Sequence, residues 1–443
     1  MLLVTSLALS QTYYIAPTGD DDSGDGSIEN PWATFLKAET MLYAGDTLIV
    51  RGGTYNEWVF LETRGGTATE PIVIKRYPGE TPIIDGTDTT IAASYGLLDL
   101  YRSYFHVTGL TIRNSDQSGV RMGNTGNWVD SLTVHNIMGT GIAAYGDSSK
   151  VEDCLVYDVA MENEDGAKEG IGTWGAGITA ARGGASGDDT TDYAIIRRNI
   201  VHDCWGEGIS SYEASNTIIA DNVIYDAYSV MLYISDSKYV YCSGNLVYTT
   251  KDLAGIDRYV GLAISDEKAW PNRCDTVVNN VVMGCYINLY MSGYPQENTL
   301  VANNVFMNST YSEGCVVVRG DAGAYTNVRF ANNIIIQENS DSVIAFNYPT
   351  GQEIIFSHNL WSKAPNSNAS GTGDVIGDPL LTEDGDTTAG NLTLQHFRLQ
   401  ATSPAINAGL NVGLSYSGVA PDMGAIEYTT PISYFNKRLG KRN

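Results

Sequence analysis

Thr217-Ile218-Ile219-Ala220-Asp221-Asn222-Val223-Ile224-Tyr225 decides the fold. Two short apolar runs flank Asp221-Asn222, residues suited to a tight bend, so the segment reads as strand, bend, strand. The Asn–aliphatic step recurs at Asn136-Ile137, Asn199-Ile200, Asn222-Val223, Asn245-Leu246, Asn280-Val281, Asn304-Val305, Asn333-Ile334 and Asn359-Leu360. From Asn199 the spacings are 23, 23, 35, 24, 29 and 26 residues, near one turn of a parallel β-solenoid with loops of variable length. The expectation is a coil in which all eight asparagines form one axial stack, each amide satisfying neighbouring backbone groups.

With the asparagines as anchors, each rung has a strand before the Asn, one after it, a variable loop and a third strand. Third strands include Gly208-Ile209-Ser210-Ser211-Tyr212, Met231-Leu232-Tyr233-Ile234 and Gly261-Leu262-Ala263-Ile264. Alternation along a strand points Ile209, Leu232, Leu262 and Leu289 inward. It points Ser210, Tyr233, Ala263 and Tyr290 outward, with Tyr212, Ser235, Ser265, Ser292 and Arg319 one step further. Long insertions at 161–174, 182–192, 249–259 and 266–273 all flank this third sheet, and loops on one side of a rigid solenoid tend to carry its binding function.

The 443 residues suit one elongated domain that grows by adding rungs. Residues 1–10 read as a signal peptide, which implies a secreted or cell-surface protein. Residues 11–97 read as an N-terminal cap with the first rungs, and Ala33 to Leu42 as a capping helix. Residues 98–362 form the coil, 363–428 a C-terminal cap and 429–443 a basic tail. A net charge of −25 excludes nucleic acid as the default partner. No apolar stretch is long enough to insert in a membrane as a helix, and a monomer is expected. The six cysteines read as buried free thiols, because Cys154 takes the Asn slot of its rung and Cys204 and Cys285 share a slot three rungs apart. The Asp20–Asp25 run reads as a solvated turn, since it lacks the distal glutamate of a calcium loop.

Tyr14-Ile15-Ala16-Pro17-Thr18-Gly19-Asp20, Asn30-Pro31-Trp32, Gly45-Asp46-Thr47 and Gly52-Gly53-Thr54-Tyr55 open the chain; Ser403-Pro404-Ala405-Ile406-Asn407-Ala408-Gly409 and Asp422-Met423-Gly424-Ala425 close it. Together with the Asn-anchored rungs, these segments resemble secreted right-handed parallel β-helix proteins of the pectate-lyase-like superfamily. The resemblance implies that fold and a carbohydrate-active role, but that superfamily holds lyases, hydrolases, epimerases, tailspikes and adhesins. The paired Asp and Gly-His-Gly of polygalacturonases are absent. So is a clear counterpart of the calcium-ligand Asp cluster and lysine base of pectate lyases, and no catalytic residue transfers by motif.

Glu213 and Asp236 each lie nine residues before a bend asparagine, and Asp266 takes the same slot on the next rung. Backbones of neighbours in such a column are ~4.8 Å apart and of alternate members ~9.6 Å, separations that bracket the carboxylate pairs of glycosidases. A column of this kind repels itself unless pKa values rise or a cation binds. The alternative is three solvated turn residues. Tyr212, Tyr233, Tyr290 and Trp205 are the candidate sugar-stacking residues. Lys168, Arg182, Arg258, Lys268 and Arg319 are the cationic candidates, with Lys268 and Arg319 placed to act on a uronate. His202 and Glu207 flank Trp205, a pair suited to relaying protons, although an isolated loop histidine is more often only hydrogen-bonded. The expected function is cleavage of a polysaccharide in a groove over the third sheet, with hydrolysis, needing no cofactor, placed ahead of β-elimination. A lyase would hold Ca²⁺ on Glu213, Asp236 and Asp266. A third reading is a non-catalytic rod or glycan-binding surface.

Overall fold

A computed structural model describes residues 10–168, 174–182, 191–268, 274–294, 296–312, 314–319, 325–338, 344–347 and 353–429. Most of the signal segment, nearly all of the basic tail and the tips of three of the four insertions lie outside the described residues.

The chain winds into a right-handed parallel β-helix. Two sheets have 13 strands each and the third has 11. In the rung that contains the opening segment, Ile218–Ala220 belongs to the first sheet, Val223–Ala227 to the second and Val230–Ser235 to the third. Each strand pairs in parallel with its counterpart one rung away, as Ile219 does with Cys242 and Ile209 with Leu232. Ile209, Leu232, Leu262 and Leu289 are fully buried, so the inward column of the third sheet is as expected.

The bend works through two residues. Asp221 adopts φ 56°, a left-handed conformation that Asp and Asn tolerate better than other side chains, and turns the chain by about a corner. Asn222 then buries its amide. Its Oδ1 accepts from Asn199 N (3.0 Å) and Nδ2 (3.0 Å), while its own Nδ2 donates to Asn245 Oδ1 (2.9 Å) and Ile196 O (3.0 Å). The same pattern runs unbroken from Asn199 through Asn222, Asn245, Asn280, Asn304 and Asn333 to Asn359. Cys154 occupies the slot below, its N–H donating to Asn199 Oδ1 (2.9 Å).

Asn136 is not part of this ladder, which corrects the expectation of eight. It sits four residues past the slot of its rung, which Leu132 fills opposite Cys154. There it has φ 56° on the surface and donates to Asn114 Oδ1 (3.3 Å). The residues Asn114, Asn136, Asp158, Asp203 and Asp226 form a second column of left-handed positions at the far end of the second-sheet strands.

The ends also differ in detail. The coil begins at Thr12–Ile15, paired with Thr47–Val50, inside the segment read as the N-terminal cap. The capping helix spans Phe35–Met41, N-capped by Thr34, and buries Phe35 and Ala38. The Asp20 run is a hydrogen-bonded turn in which Asp20 Oδ1 accepts from the N–H groups of Asp22 and Ser23. The segment after residue 362 does not simply close the end. It runs back along the outer face of the second sheet, packing Leu392, Phe397, Leu399 and Met423 on Tyr225, Tyr248, Val281, Val305 and Ile334. Tyr248 Oη accepts from Gly390 N (2.8 Å) at its far reach. All six cysteines are free thiols and five are buried; burial pushes Cys154 up to about 12.

Candidate active-site groove

The second sheet is covered by the C-terminal segment, but the third sheet presents an open groove of about 760 Å³. One outward column forms its floor. Thr179, Ser210, Tyr233, Ala263 and Tyr290 stand in register on five successive rungs. Ala181, Tyr212, Ser265 and Ser292 stand beside them, and Tyr145 and Trp174 extend the lining. The three expected tyrosines therefore share one groove. Trp205 does not line it; its ring packs on Tyr228 (5.5 Å, 47°) and its carbonyl accepts from Asn163 Nδ2 (2.5 Å). Among the described residues, Trp174, at the end of the first insertion, is the tryptophan that lines the groove.

The structure brings Glu213, Asp236 and Asp266 to one register position, since Tyr212 pairs with Ser235 and Ser235 with Ser265. The three residues are 5%, 1% and 1% exposed. Glu213 and Asp236 have φ of 50° and 48°, which ends the alternation and leaves both side chains buried rather than in the open groove. Asp236 Oδ1 accepts from the N–H groups of Glu267 (3.0 Å) and Lys268 (2.7 Å), and its Oδ2 from Ser235 Oγ (2.9 Å). Glu213 Oε1 accepts from Lys268 Nζ, and its Oε2 lies 3.6 Å from Arg182 Nη1. This bond to Glu213 holds the Lys268 ammonium well above the usual lysine range. Lys268 Nζ also lies 4.9 Å from the centre of the Tyr212 ring.

These contacts test calcium on the expected donors. Ca²⁺ takes six to eight oxygens, whereas Glu213 already faces two cationic side chains and the Asp236 oxygens accept three hydrogen bonds. Among the described residues no group of three or more His, Cys, Asp or Glu side chains is arranged to hold a metal. Glu213 and Asp236, engaged in this way, do not fit the ion.

Among the described residues, the carboxylates that do face the groove are Glu207 and Glu267. Glu207 opens the strand Glu207–Tyr212. Alternation from Ile209 would turn it inward, yet it lines the groove in the same column as Ala176, Val230 and Val260, while Gly208 behind it faces the core, where a Cβ would meet Met231 O at 2.4 Å and Ile224 Cγ2 at 2.6 Å. Burial in the groove floor pushes the Glu207 carboxyl up to about 7; the hydrogen bond with Ser210 opposes the shift and the nearby Glu267 charge adds to it. Glu267 follows the strand Val260–Asp266, held by its own N–H on Asp236, and its Oε1 accepts from Tyr233 Oη (2.6 Å). Burial and the Glu267 charge hold the Tyr233 phenol above its ordinary range, so the phenol stays a donor.

Arg319 stands at the far end of the groove, its guanidinium 5.6 Å over Tyr290 and 3.3 Å from Tyr311 Oη. Lys168 lies 3.5 Å from Glu162, and Arg258 hydrogen-bonds Asp257 (3.0 Å); neither lines the groove. His202 is not paired with Glu207. It hydrogen-bonds Asp203 (2.8 Å) and stacks between Tyr157 and Tyr225 on the second sheet. Sequence reasoning passed over Glu267 and Trp174, although both stand at insertion ends, where a loop meets the floor strands.

Residues 13–228 match the family model described as Pel9A-like, right handed beta helix region. Pectate lyase PEL9 of Emericella nidulans is 30% identical over 174 residues, 37% of this chain and 42% of that protein. Pectate lyase L of Dickeya dadantii is 23% identical over an alignment covering 96% of this chain and 92% of that one. Among solved structures, the complex of XylC with xylose superimposes with a TM-score of 0.61 at 13% identity, over 86% of this chain and 88% of that one. With this winding and this groove, the chain is a right-handed parallel β-helix protein that is similar to pectate lyases.

Proposed function

We propose that the protein cleaves a polysaccharide in the groove over the third sheet, with Glu207 and Glu267 as the working carboxyls. The observation that carries this reading is their meeting in the groove around Tyr233: burial pushes the Glu207 carboxyl up to about 7, and Glu267 accepts a hydrogen bond from the Tyr233 phenol. A carboxyl near 7 is about half protonated at neutral pH, and its protonated form donates to the departing glycosidic oxygen. A hydrogen-bonded carboxylate takes the complementary part, activating the water or attacking the anomeric carbon. Water supplies the hydroxyl and proton that the two sugar ends gain. Tyr212, Tyr233 and Tyr290 offer ring surface to the sugars, and Arg319 a cation at one end. Glu213, Asp236 and Lys268 act as positioning residues that fix the turn bearing Glu267; Asp266 stands beside them in register.

Relatives named pectate lyases favour a second reading, β-elimination on a uronate. Lys268 at the groove rim is its candidate base, but its ion pair with Glu213 keeps it protonated, and a proton-bearing lysine cannot take another. The test is a panel of purified polysaccharides, including polygalacturonan, alginate and xylan. Hydrolysis yields reducing ends without ultraviolet absorbance from unsaturated uronates; elimination yields both. Retention of every polymer uncut would leave the protein a binding module and overturn the enzymatic reading.

A further inference from the structure

The floor column of the groove does not stop at Thr179. It continues toward the N-terminus through Ala143, Arg121 and Asp99 to Phe60, each in register with the next. Six rung steps separate Tyr233 from Phe60, on the order of 29 Å at strand spacing. At that end the outward residues become aromatic. Trp58 and Phe60 stack at 5.1 Å, and Tyr95 packs edge-on against both. The Trp58 indole N–H donates to Gly96 O (2.9 Å), which fixes the ring. A cavity of about 300 Å³ opens against Trp58 and Phe60 beneath the capping helix.

Arg121 joins the two regions. Its guanidinium lies 5.2 Å from the centre of the Tyr95 ring and 5.8 Å from that of Tyr145, which lines the main groove. Asp99, fully buried, holds it at 3.3 Å. A cation fixed between two aromatic rings on a continuous floor offers hydrogen-bond donors to hydroxyls or carboxylates, while half-buried aromatic rings offer faces of apolar carbon.

We propose that Trp58, Phe60 and Arg121 form a distal subsite that binds a second stretch of the same polysaccharide chain, so that the protein selects polymers over short oligosaccharides. This rests on the groove being the glycan site, and it adds a length requirement which that reading does not contain. The span to the Glu207–Glu267 pair covers several sugar units, which a disaccharide cannot bridge.

Affinity electrophoresis separates this inference from the catalytic one, because it needs no turnover. Trp58→Ala and Phe60→Ala are compared with the parent protein in gels containing polygalacturonan or xylan, with circular dichroism as the folding control. The expected result is about tenfold weaker retardation by the polymer that retards the parent. Where a substrate is cleaved, the ratio of kcat/KM on polymer to that on a trisaccharide falls about tenfold. Undiminished retardation in the folded Phe60→Ala variant, an equal loss on polymer and trisaccharide, or no retardation of the parent by either polymer overturns the subsite.

Discussion

The asparagine ladder and the groove lie on the same rungs and are built in opposite ways. In the ladder, every rung repeats one residue, and each amide is satisfied by the rung beside it. In the groove, the residues that matter stand where strand alternation breaks: Glu207 beside the inward-facing Gly208, Glu213 and Asp236 at left-handed positions, and Glu267 in a turn beyond its strand. Repetition supplies a rigid scaffold at low specificity, and breaks in strand alternation aim single side chains. Stability and activity should therefore separate along this line.

The largest effect on the scaffold side comes from the ladder itself. Asn245→Ala removes bonds to Asn222, Asn280 and Ile219 O in a fully buried site and leaves polar groups without partners, a cost of about 3 kcal/mol or more. Asn136→Ala, on the surface, costs under about 1 kcal/mol. Urea unfolding of the two variants checks this, and equal losses would dissolve the distinction between the two asparagine columns.

On the groove side, Lys268→Ala frees the turn that carries Glu267. Turnover should fall roughly 10- to 100-fold through misplacement of the carboxylate, with KM nearly unchanged and Lys268→Arg recovering part of the loss. A change in KM alone would make Lys268 a substrate contact instead.

The pH profile sharpens the same assignment. Glu207 works protonated, so kcat/KM should fall as pH rises through about 7, the value set by its burial. The same raised carboxyl makes a stability contribution that is complete below its unfolded value and is lost as pH climbs through about 7; Glu207→Gln should flatten that part of the stability profile. A rate that climbs through pH 7 would assign Glu207 as a base. The smallest effect expected is that of a chelator: with the Glu213 and Asp236 oxygens engaged by protein donors, EDTA should change the rate less than about twofold, whereas loss of activity restored by Ca²⁺ would locate an ion elsewhere in the groove.

The same contrast explains what could be read from the chain. The coil, the three strands per rung, the outward tyrosines and seven of the ladder positions followed from periodicity, because each rung meets the same packing demand. Asn136 was misplaced because Asn serves two purposes, an amide ladder and a left-handed corner, and both leave an Asn before an aliphatic residue. The register of Glu213, Asp236 and Asp266 was legible, but not their burial, since strict alternation presumes extended backbone. Glu267 escaped notice because a residue beyond a strand end has no fixed side; only the Asp236 bonds to the turn settle it.

The most direct test compares Glu207→Gln with Glu213→Gln on a substrate confirmed by the polysaccharide panel. Glu207→Gln should lower kcat by roughly 10²- to 10⁴-fold with the unfolding transition retained. Glu213→Gln should keep more turnover and lose thermal stability, because it breaks the bond to Lys268 without touching the acid. Full activity in Glu207→Gln, together with abolished activity in a folded Glu213→Gln, would contradict the account and move the chemistry to the buried column.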